Sequence, residues 1–280
     1  MTNFKNSCIA IGNFDGIHIG HDALIREMLE ISKYNNLNSM ILTFKFSDKT
    51  MNKSSANMKY ITNFDSKMSL LQAYKPTNVC YIDLDSEISK YSSEMFIKNI
   101  LIDKYDMKHI VVGYNFRFGH YALGNTDTLK KFSNIYGYDV SILPRIRTDD
   151  RLDISSTIIR DFIKKGKIKE ANRLLTQNYT IFTNEVEHLD NNRCIVNQNS
   201  DIITPCDGKY KVLIGENECI AEINTIDHNK IFKFNCDFSK QDIVFLSDKW
   251  LFKIIINLKF NKKKIIFTNI KYCVKIYEVP

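Results

Sequence analysis

Two histidines three residues apart stand among three glycines in the run Gly12-Asn13-Phe14-Asp15-Gly16-Ile17-His18-Ile19-Gly20-His21. Imidazole nitrogens can donate hydrogen bonds to phosphate oxygens. Glycines let a phosphate come close to the backbone. The spacing of His18 and His21 puts both on one face of a first helical turn. Asp15 has two readings, a magnesium ligand or a side chain that bonds the backbone of its own turn. The set as a whole suits a polyphosphate.

Such a set needs an element to aim it. An apolar run, Cys8-Ile9-Ala10-Ile11, precedes it and reads as a strand. Leu24, Ile25, Met28, Leu29 and Ile31 follow as the apolar face of a helix. The glycines and histidines therefore fall where a strand turns into a helix, whose free N–H groups and dipole favour an anion. Further strands are expected at Ser39 to Phe44, Val79 to Leu84, His109 to Val112 and Asp139 to Leu143. Helices are expected over Asn63 to Tyr74, Ser92 to Tyr105 and Thr126 to Tyr136. Strands alternating with helices imply an α/β domain with a Rossmann-like parallel sheet, and ligands bind at the carboxyl ends of such strands. Gly12 to His21 and Gly113 to Gly124 both follow strands, so both can line one crevice.

Residues Ile154 to Leu175 read as two short helices parted by Gly166. Beyond about residue 178 the helical period gives way to short β-prone runs: Lys209 to Ile214, Cys219 to Ile223, Ile231 to Phe234, Trp250 to Leu258, Lys264 to Phe267 and Tyr272 to Tyr277. Short strands with turn-rich spacers mark a smaller antiparallel β-barrel or sandwich. The domain reading is 1–180 for the nucleotide half and 181–280 for the β-rich half.

Composition narrows the partners. The chain has 280 residues, 44% of them hydrophobic, and a formal net charge of +7. That charge allows nucleic acid, a membrane surface or small anions. No block of five or six like charges occurs, and Lys262-Lys263-Lys264 reads as a hairpin turn, so nucleic acid is set aside. The seven cysteines are scattered without a CxxC pair, which excludes a zinc site of that kind. An odd count without a leader points to reduced thiols and a cytoplasmic location. Met1 to Ser7 has no apolar leader core. The most apolar run, Trp250 to Phe260, is broken by Lys253, Asn257 and Lys259, too short to span a bilayer.

Three further segments carry a resemblance. Val111-Val112-Gly113-Tyr114-Asn115-Phe116-Arg117-Phe118-Gly119, then Gly124-Asn125, then Ile154-Ser155-Ser156-Thr157-Ile158-Ile159-Arg160 follow the glycine–histidine run in order. Together they resemble the bacterial riboflavin kinase/FAD synthetase family, within the nucleotidyltransferases that carry a His-x-Gly-His motif. The resemblance covers about residues 7 to 180. It implies transfer of AMP from ATP to FMN, giving FAD and pyrophosphate, with magnesium on the triphosphate.

Carried onto this sequence, the resemblance gives His18, His21, Ser156, Thr157 and Arg160 the catalytic roles. Gly12, Asn13, Phe14, Asp15, Gly16, Gly20, Gly113, Asn115, Phe116, Phe118, Gly124 and Ser155 become binding residues. Each has a plainer reading as well. Ser155 or Ser156 can be a helix cap, Arg160 a surface arginine and Asn115 a turn residue. Of Phe116 and Phe118, one can pack inward while the other meets an aromatic ligand. No residue set for a protein-held metal is identified.

Two departures stand out. The family's Phe-x-Pro-His-Pro segment after the second strand is Thr43-Phe44-Lys45-Phe46-Ser47 here. In the family's kinase barrel, a glycine-rich loop ending Gly-Phe-Pro-Thr-Ala-Asn binds nucleotide phosphates. Here Asn192-Arg193-Cys194-Ile195-Val196-Asn197 stands in about that place, and no glycine occurs from Tyr179 to Thr204. The resemblance thus implies an FMN adenylyltransferase whose β-rich domain is a degenerate kinase barrel. The alternatives are a bifunctional riboflavin kinase/FAD synthetase, a nucleotidyltransferase with another phosphate-bearing acceptor, and a non-catalytic flavin- or nucleotide-binding regulator.

Overall fold

The computed structural model describes residues 4–46, 59–84, 87–182, 186–196, 200–236, 242–246, 264–267 and 274–277. The chain forms two compact units, Met1–Met58 with Leu71–Ile154, and Lys59–Leu70 with Ser155–Pro280.

In the first unit, β1 (Ser7–Ile11), β2 (Asn38–Phe46), β3 (Asn78–Leu84), β4 (Met107–Gly113) and β5 (Asp139–Leu143) form a sheet of five parallel strands among the described residues. Their order is β3-β2-β1-β4-β5. Every residue of β1 is buried, as a central parallel strand with helices on both faces must be. Its side chains alternate between the faces. Ile9 and Ile11 join Met40, Leu42, Ile110 and Val112 in one core. On the opposite face, the Cys8 thiol lies against the Met28 carbonyl of α1 (Ile19–Tyr34) at 3.7 Å. The order of the strands reverses between β1 and β4, so the loops after these two strands flank the crevice where such sheets hold ligands.

The helix expected over 92–105 is not a single α-helix. Ser92 Oγ accepts from the Met95 N–H at 3.1 Å and opens α3 (Ser93–Met95), which passes directly into a π-helical stretch, Phe96–Ile102. Phe96, Ile97, Ile100 and Leu101 of that stretch are all buried in the sheet core, and packing overrides the ideal repeat. Next comes α4 (Thr126–Tyr136), with Asn125 as its cap in a reciprocal capping box with Thr128.

The second unit includes most of α2 (Phe64–Gln72), then α5 (Ser156–Lys164) and α6 (Ile168–Leu174). Gly166, at φ +70°, ends the run of α5. The packing divides ahead of the change in sequence character near residue 180, because α6 is tied to the strands beyond it. Asn172 Nδ2 donates to the Phe245 carbonyl at 2.9 Å, and Asn172 Oδ1 accepts from the Tyr179 N–H at 2.6 Å.

The β-rich part contains β6 (Thr180–Ile181), β7 (Glu187–Asp190), β8 (Arg193–Val196), β9 (Gly208–Ile214), β10 (Asn217–Ile226), β11 (Asn229–Phe234) and β12 (Ile243–Phe245). Among the described residues these make a seven-stranded antiparallel sheet, ordered β6-β12-β9-β10-β11-β8-β7. A separate hairpin pairs β13 (Lys264–Phe267) with β14 (Val274–Tyr277). The expected strand at Trp250 to Leu258 lies outside the described residues, as do Lys262 and Lys263 of the expected turn.

One expectation is corrected. The cysteines read as reduced thiols, yet Cys219 and Cys236 form a disulfide. The cause is register: β10 pairs with β11 so that Ala221 faces Phe234, and the same ladder carried outward sets position 219 opposite 236. No helix among the described residues is long and apolar enough to cross a membrane.

Candidate active site

The first set of candidate residues is built by the turn between β1 and α1. β2 holds the start of this turn. The Gly12 N–H donates to the Leu42 carbonyl at 3.2 Å, and Thr43 Oγ1 donates to the Asn13 carbonyl at 3.1 Å. Thr43 is fully buried and fastens the turn, a role that becomes visible only once strand adjacency is known.

Phe14 sits at φ +52° and Gly16 at φ +62°, so the chain makes two left-handed steps before the helix. Phe14 is 0% exposed, and a Cβ on Gly12 would press on its ring at 3.3 Å. Gly12 therefore provides room for Phe14, and Phe14 supports the turn from beneath. Asp15 is buried too, at 2% exposure.

His18 is the N-cap of α1. Its Nδ1 accepts from the His21 N–H at 3.2 Å. The two imidazoles stack with centroids 3.6 Å apart and planes at 15°, and the Phe14 ring meets His21 edge-on at 5.2 Å. A Cβ on Gly20 would lie 3.1 Å from the His18 ring, so glycine at this position leaves the stack undisturbed.

His18 is 7% exposed, and burial pushes its imidazole down to about 4 from the ordinary 6.5. It is neutral at pH 7. Because Nδ1 accepts a backbone N–H, the ring proton resides on Nε2, which is thereby a fixed neutral donor.

A pH dependence follows from this. The unfolded chain takes up a proton on this ring below about 6.5, whereas the folded chain resists until about 4. Stability is therefore complete above pH 6.5 and declines as pH falls toward 4, by about 3 kcal/mol at full effect. Urea denaturation between pH 7 and pH 4 measures this slope. His18→Asn, which retains a capping side chain, should flatten the slope.

The second set lies on the β4 side of the same unit. The Tyr114 N–H extends the ladder to the Leu143 carbonyl at 2.9 Å, and Phe116 N–H closes a turn on the Gly113 carbonyl at 3.0 Å. Asn115 is exposed beside Gly113. Phe116 and Phe118 stack at 5.5 Å between centroids, and Phe118 also contacts Phe96. Phe118 is a core residue at 5% exposure, while Phe116 is partly buried against the same core.

Phe118 and Gly124 exchange backbone hydrogen bonds across the loop. Gly119, at φ +73°, and Gly124 both abut Ser93; a Cβ would meet its backbone N at 2.9 Å and its Oγ at 2.7 Å, respectively. The reason for two glycines here is the close approach of Ser93, a neighbour some 26 to 31 residues away that leaves no mark in the local sequence.

The third set belongs to the other unit. Ser155 caps α5, its Oγ accepting from the Ile158 N–H at 3.4 Å. Ser156 and Thr157 begin the helix, and Arg160 Nη2 reaches Thr157 Oγ1 at 3.4 Å. Ile159 and Ile163 anchor the opposite side of α5, leaving Thr157 exposed and Arg160 half-buried. Among the described residues, no three His, Cys, Asp or Glu side chains are grouped as a metal would require.

A parallel sheet whose first strand ends in a glycine–histidine turn at a helix start defines a Rossmann-like domain of the nucleotidyltransferase type. A sequence profile described as FAD synthetase matches residues 1–158, more than half of the chain. This chain belongs to the FAD synthetase family.

Relatives agree. A bifunctional riboflavin kinase/FMN adenylyltransferase of Buchnera aphidicola is 34% identical over 177 residues, 63% of this chain and 57% of that protein. A FAD synthetase of Listeria monocytogenes is 29% identical over 171 residues, 61% of this chain and 69% of its own length. A bifunctional protein of the same organism is 27% identical over 236 residues, covering 81% of this chain and 74% of itself. The chain spans little more than half the length of this Buchnera protein, 57%, and of a second Buchnera aphidicola protein of the same description, 34% identical and covered to 56%. A solved structure, described as a macrolide-efflux protein from Streptococcus pneumoniae, superposes with a TM-score of 0.71, covering 90% of each chain. At 22% identity, that likeness concerns the fold alone.

Proposed function

We propose that this chain is an FMN adenylyltransferase, taking ATP and FMN to FAD and pyrophosphate. The observation that carries the reading is the capped, stacked pair of His18 and His21 at the start of α1, with a neutral donor at His18 Nε2.

In this reading a phosphate oxygen of FMN attacks the α-phosphorus of ATP. The new P–O bond forms as the bond to the β-phosphate's bridging oxygen breaks, and pyrophosphate departs with that electron pair. The FMN phosphate is already ionised near neutral pH, so no general base is needed. The protein's part is alignment and stabilisation of developing charge. His18 and His21 donate to the phosphate oxygens, while Gly12 leaves room for the Phe14 ring beneath the turn and Gly20 for the His18 ring that stacks on His21. Ser155, Ser156, Thr157 and Arg160 keep, in the second unit, the phosphate-binding role that the family resemblance gives them. Gly113 and Asn115 serve the acceptor.

Magnesium, carried on the triphosphate, would neutralise charge between the two anionic substrates. The ion characteristically keeps phosphate and water ligands. Phe14 and Phe118 support the site by packing. Asp15 remains the single carboxylate in the Gly12-to-His21 turn.

The functional division proposed is 1–180 for the transferase half and 181–280 for a kinase-derived half. The Listeria match over 81% of the chain supports that origin, since it extends past the transferase half. The setting proposed is cytoplasmic, with small-molecule partners and no nucleic acid or membrane.

Incubation of the chain with FMN, ATP and magnesium, followed by chromatography of flavins and a pyrophosphate assay, tests the reading. FAD and pyrophosphate in equal amounts are expected. FMN recovered unchanged would overturn it.

A further inference from the structure

Cys219 and Cys236 are bonded to each other, while Cys8, Cys80, Cys194 and Cys206 are free thiols. The bond joins two neighbouring strands. β10 and β11 pair antiparallel from Ile226↔Asn229 to Ala221↔Phe234. One step further out, the Asn235 N–H donates to the Ile220 carbonyl at 3.2 Å, and the Ile220 N–H donates to Asn235 Oδ1 at 2.7 Å. Cys219 and Cys236 come next, with Cα atoms 6.1 Å apart. The hairpin and the Asn235 clamp therefore hold these two cysteines opposite one another whether or not they are bonded. Opening the bond leaves two thiols within reach, and closing it needs no search through chain conformations.

The two sulfurs differ in access. Cys219 is 4% exposed and Cys236 half-buried, so an incoming thiolate meets Cys236 first. The deeper thiols are no rivals: burial pushes Cys8 up to about 11 and Cys194 up to about 12, which keeps both protonated and unreactive at neutral pH.

Cys236 also has a position with consequences. β11 and β12 stand on opposite sides of β10 and β9 in the sheet order, so Cys236 is where the chain leaves β11 for the far side. It re-enters the sheet as β12, where Phe245 is fully buried. The Phe245 N–H donates to the Tyr179 carbonyl at 2.9 Å, and its carbonyl accepts from Asn172 Nδ2 of α6 at 2.9 Å. A bond from Cys236 to β10 fastens the start of the connection that ends at this joint.

We propose that Cys219–Cys236 is a reversible modification site, opened by a dithiol reductant and closed by a disulfide oxidant, and that its state sets how firmly β12 is held. In opening, the reductant's thiolate attacks the Cys236 sulfur. The S–S bond breaks, and the Cys219 sulfur leaves with the electron pair and takes up a proton. The reductant's second thiol loses its proton and attacks its own sulfur in the mixed disulfide, and Cys236 leaves as a thiolate that is protonated in turn. Two electrons and two protons have then passed to the protein, and the reductant has become a disulfide. Closing is the reverse. This goes beyond the adenylyltransferase reading and stands without it. A bond that opens also accords with the reducing setting proposed above, where disulfides are characteristically transient.

The test uses the full chain prepared without reductant, then treated with reduced dithiothreitol, then with oxidised dithiothreitol. Alkylation and peptide mapping read the state of Cys219 and Cys236, hydrogen exchange reads β12, and thermal melting reads the fold. The two cysteines should be bonded at first, open in the folded protein and close again. Opening should speed exchange at Ile243 to Phe245 about tenfold or more and lower the melting temperature by about 5 to 10 °C, since the closed loop of the unfolded chain is lost. Closing should restore both. The Cys219→Ser/Cys236→Ser double variant should match the reduced protein and ignore either reagent. A bond that yields only in denaturant would overturn the proposal and make it a permanent staple. Thiols that oxidised dithiothreitol does not close would also overturn it, as would β12 exchange that is the same in both states of the wild type.

Discussion

With His21 replaced by alanine, FAD formation from FMN and ATP should fall by about a hundred- to a thousandfold, the scale on which a preorganised donor to a developing oxyanion acts. His21 stands on the first turn of α1, its ring clamped between the His18 imidazole at 3.6 Å and the Phe14 edge at 5.2 Å. That clamp fixes the ring's direction before substrate arrives, so little reorganisation remains for the transition state. The helix itself does not depend on this ring, because Leu24, Ile25 and Met28 supply its buried face. Circular dichroism and the melting temperature should accordingly remain near wild type. Falling kcat with little change in KM for FMN would place the interaction in the transition state. His21→Gln, which keeps an N–H donor, should recover part of the rate. Turnover like wild type in a folded His21→Ala would remove the residue from the mechanism.

Local patterns carried much of this site. The strand Ser7–Ile11, the glycine–histidine turn and the helix after it follow from apolar periodicity and turn composition, which are properties of adjacent residues. The same holds for the Ser155 cap of α5 and for the parallel sheet implied by alternating elements. What escaped depends on neighbours distant in the chain. Phe14 looks like a ligand contact in the sequence and is buried, because Gly12 leaves space for its ring and the backbone at Phe14 turns left-handed. His18 looks like a ligand contact and is also the helix cap, and that second bond decides which nitrogen carries its proton. Cys219 and Cys236 look unrelated until the β10–β11 register sets them opposite one another. Thr43 and Ser93 acquire roles only when β2 and the π-helical segment are brought beside the loops.

Given riboflavin and ATP in place of FMN, the chain should form no FMN above a control without protein. A phosphate cradle needs backbone N–H groups that point at the ligand and are not otherwise engaged, and glycines that let the phosphate approach. Where the resemblance leads one to look for that loop, residues Arg193–Val196 are instead the strand β8. Its register pairs Phe232 with Cys194 and Lys230 with Val196 on one side, and Glu187 with Ile195 on the other. The segment is thus sandwiched in the sheet, and Cys194 and Val196 fill its core. Freeing these backbone groups for a nucleotide would cost the ladder's hydrogen bonds, about 1 kcal/mol each, and would expose both buried side chains. The contrast between substrates gives the test its force. The same preparation, supplied with FMN, should yield FAD, so a silent riboflavin reaction cannot be ascribed to dead protein. FMN appearing from riboflavin in step with ATP consumption would show that the β-rich half retains a kinase site built from residues other than β8.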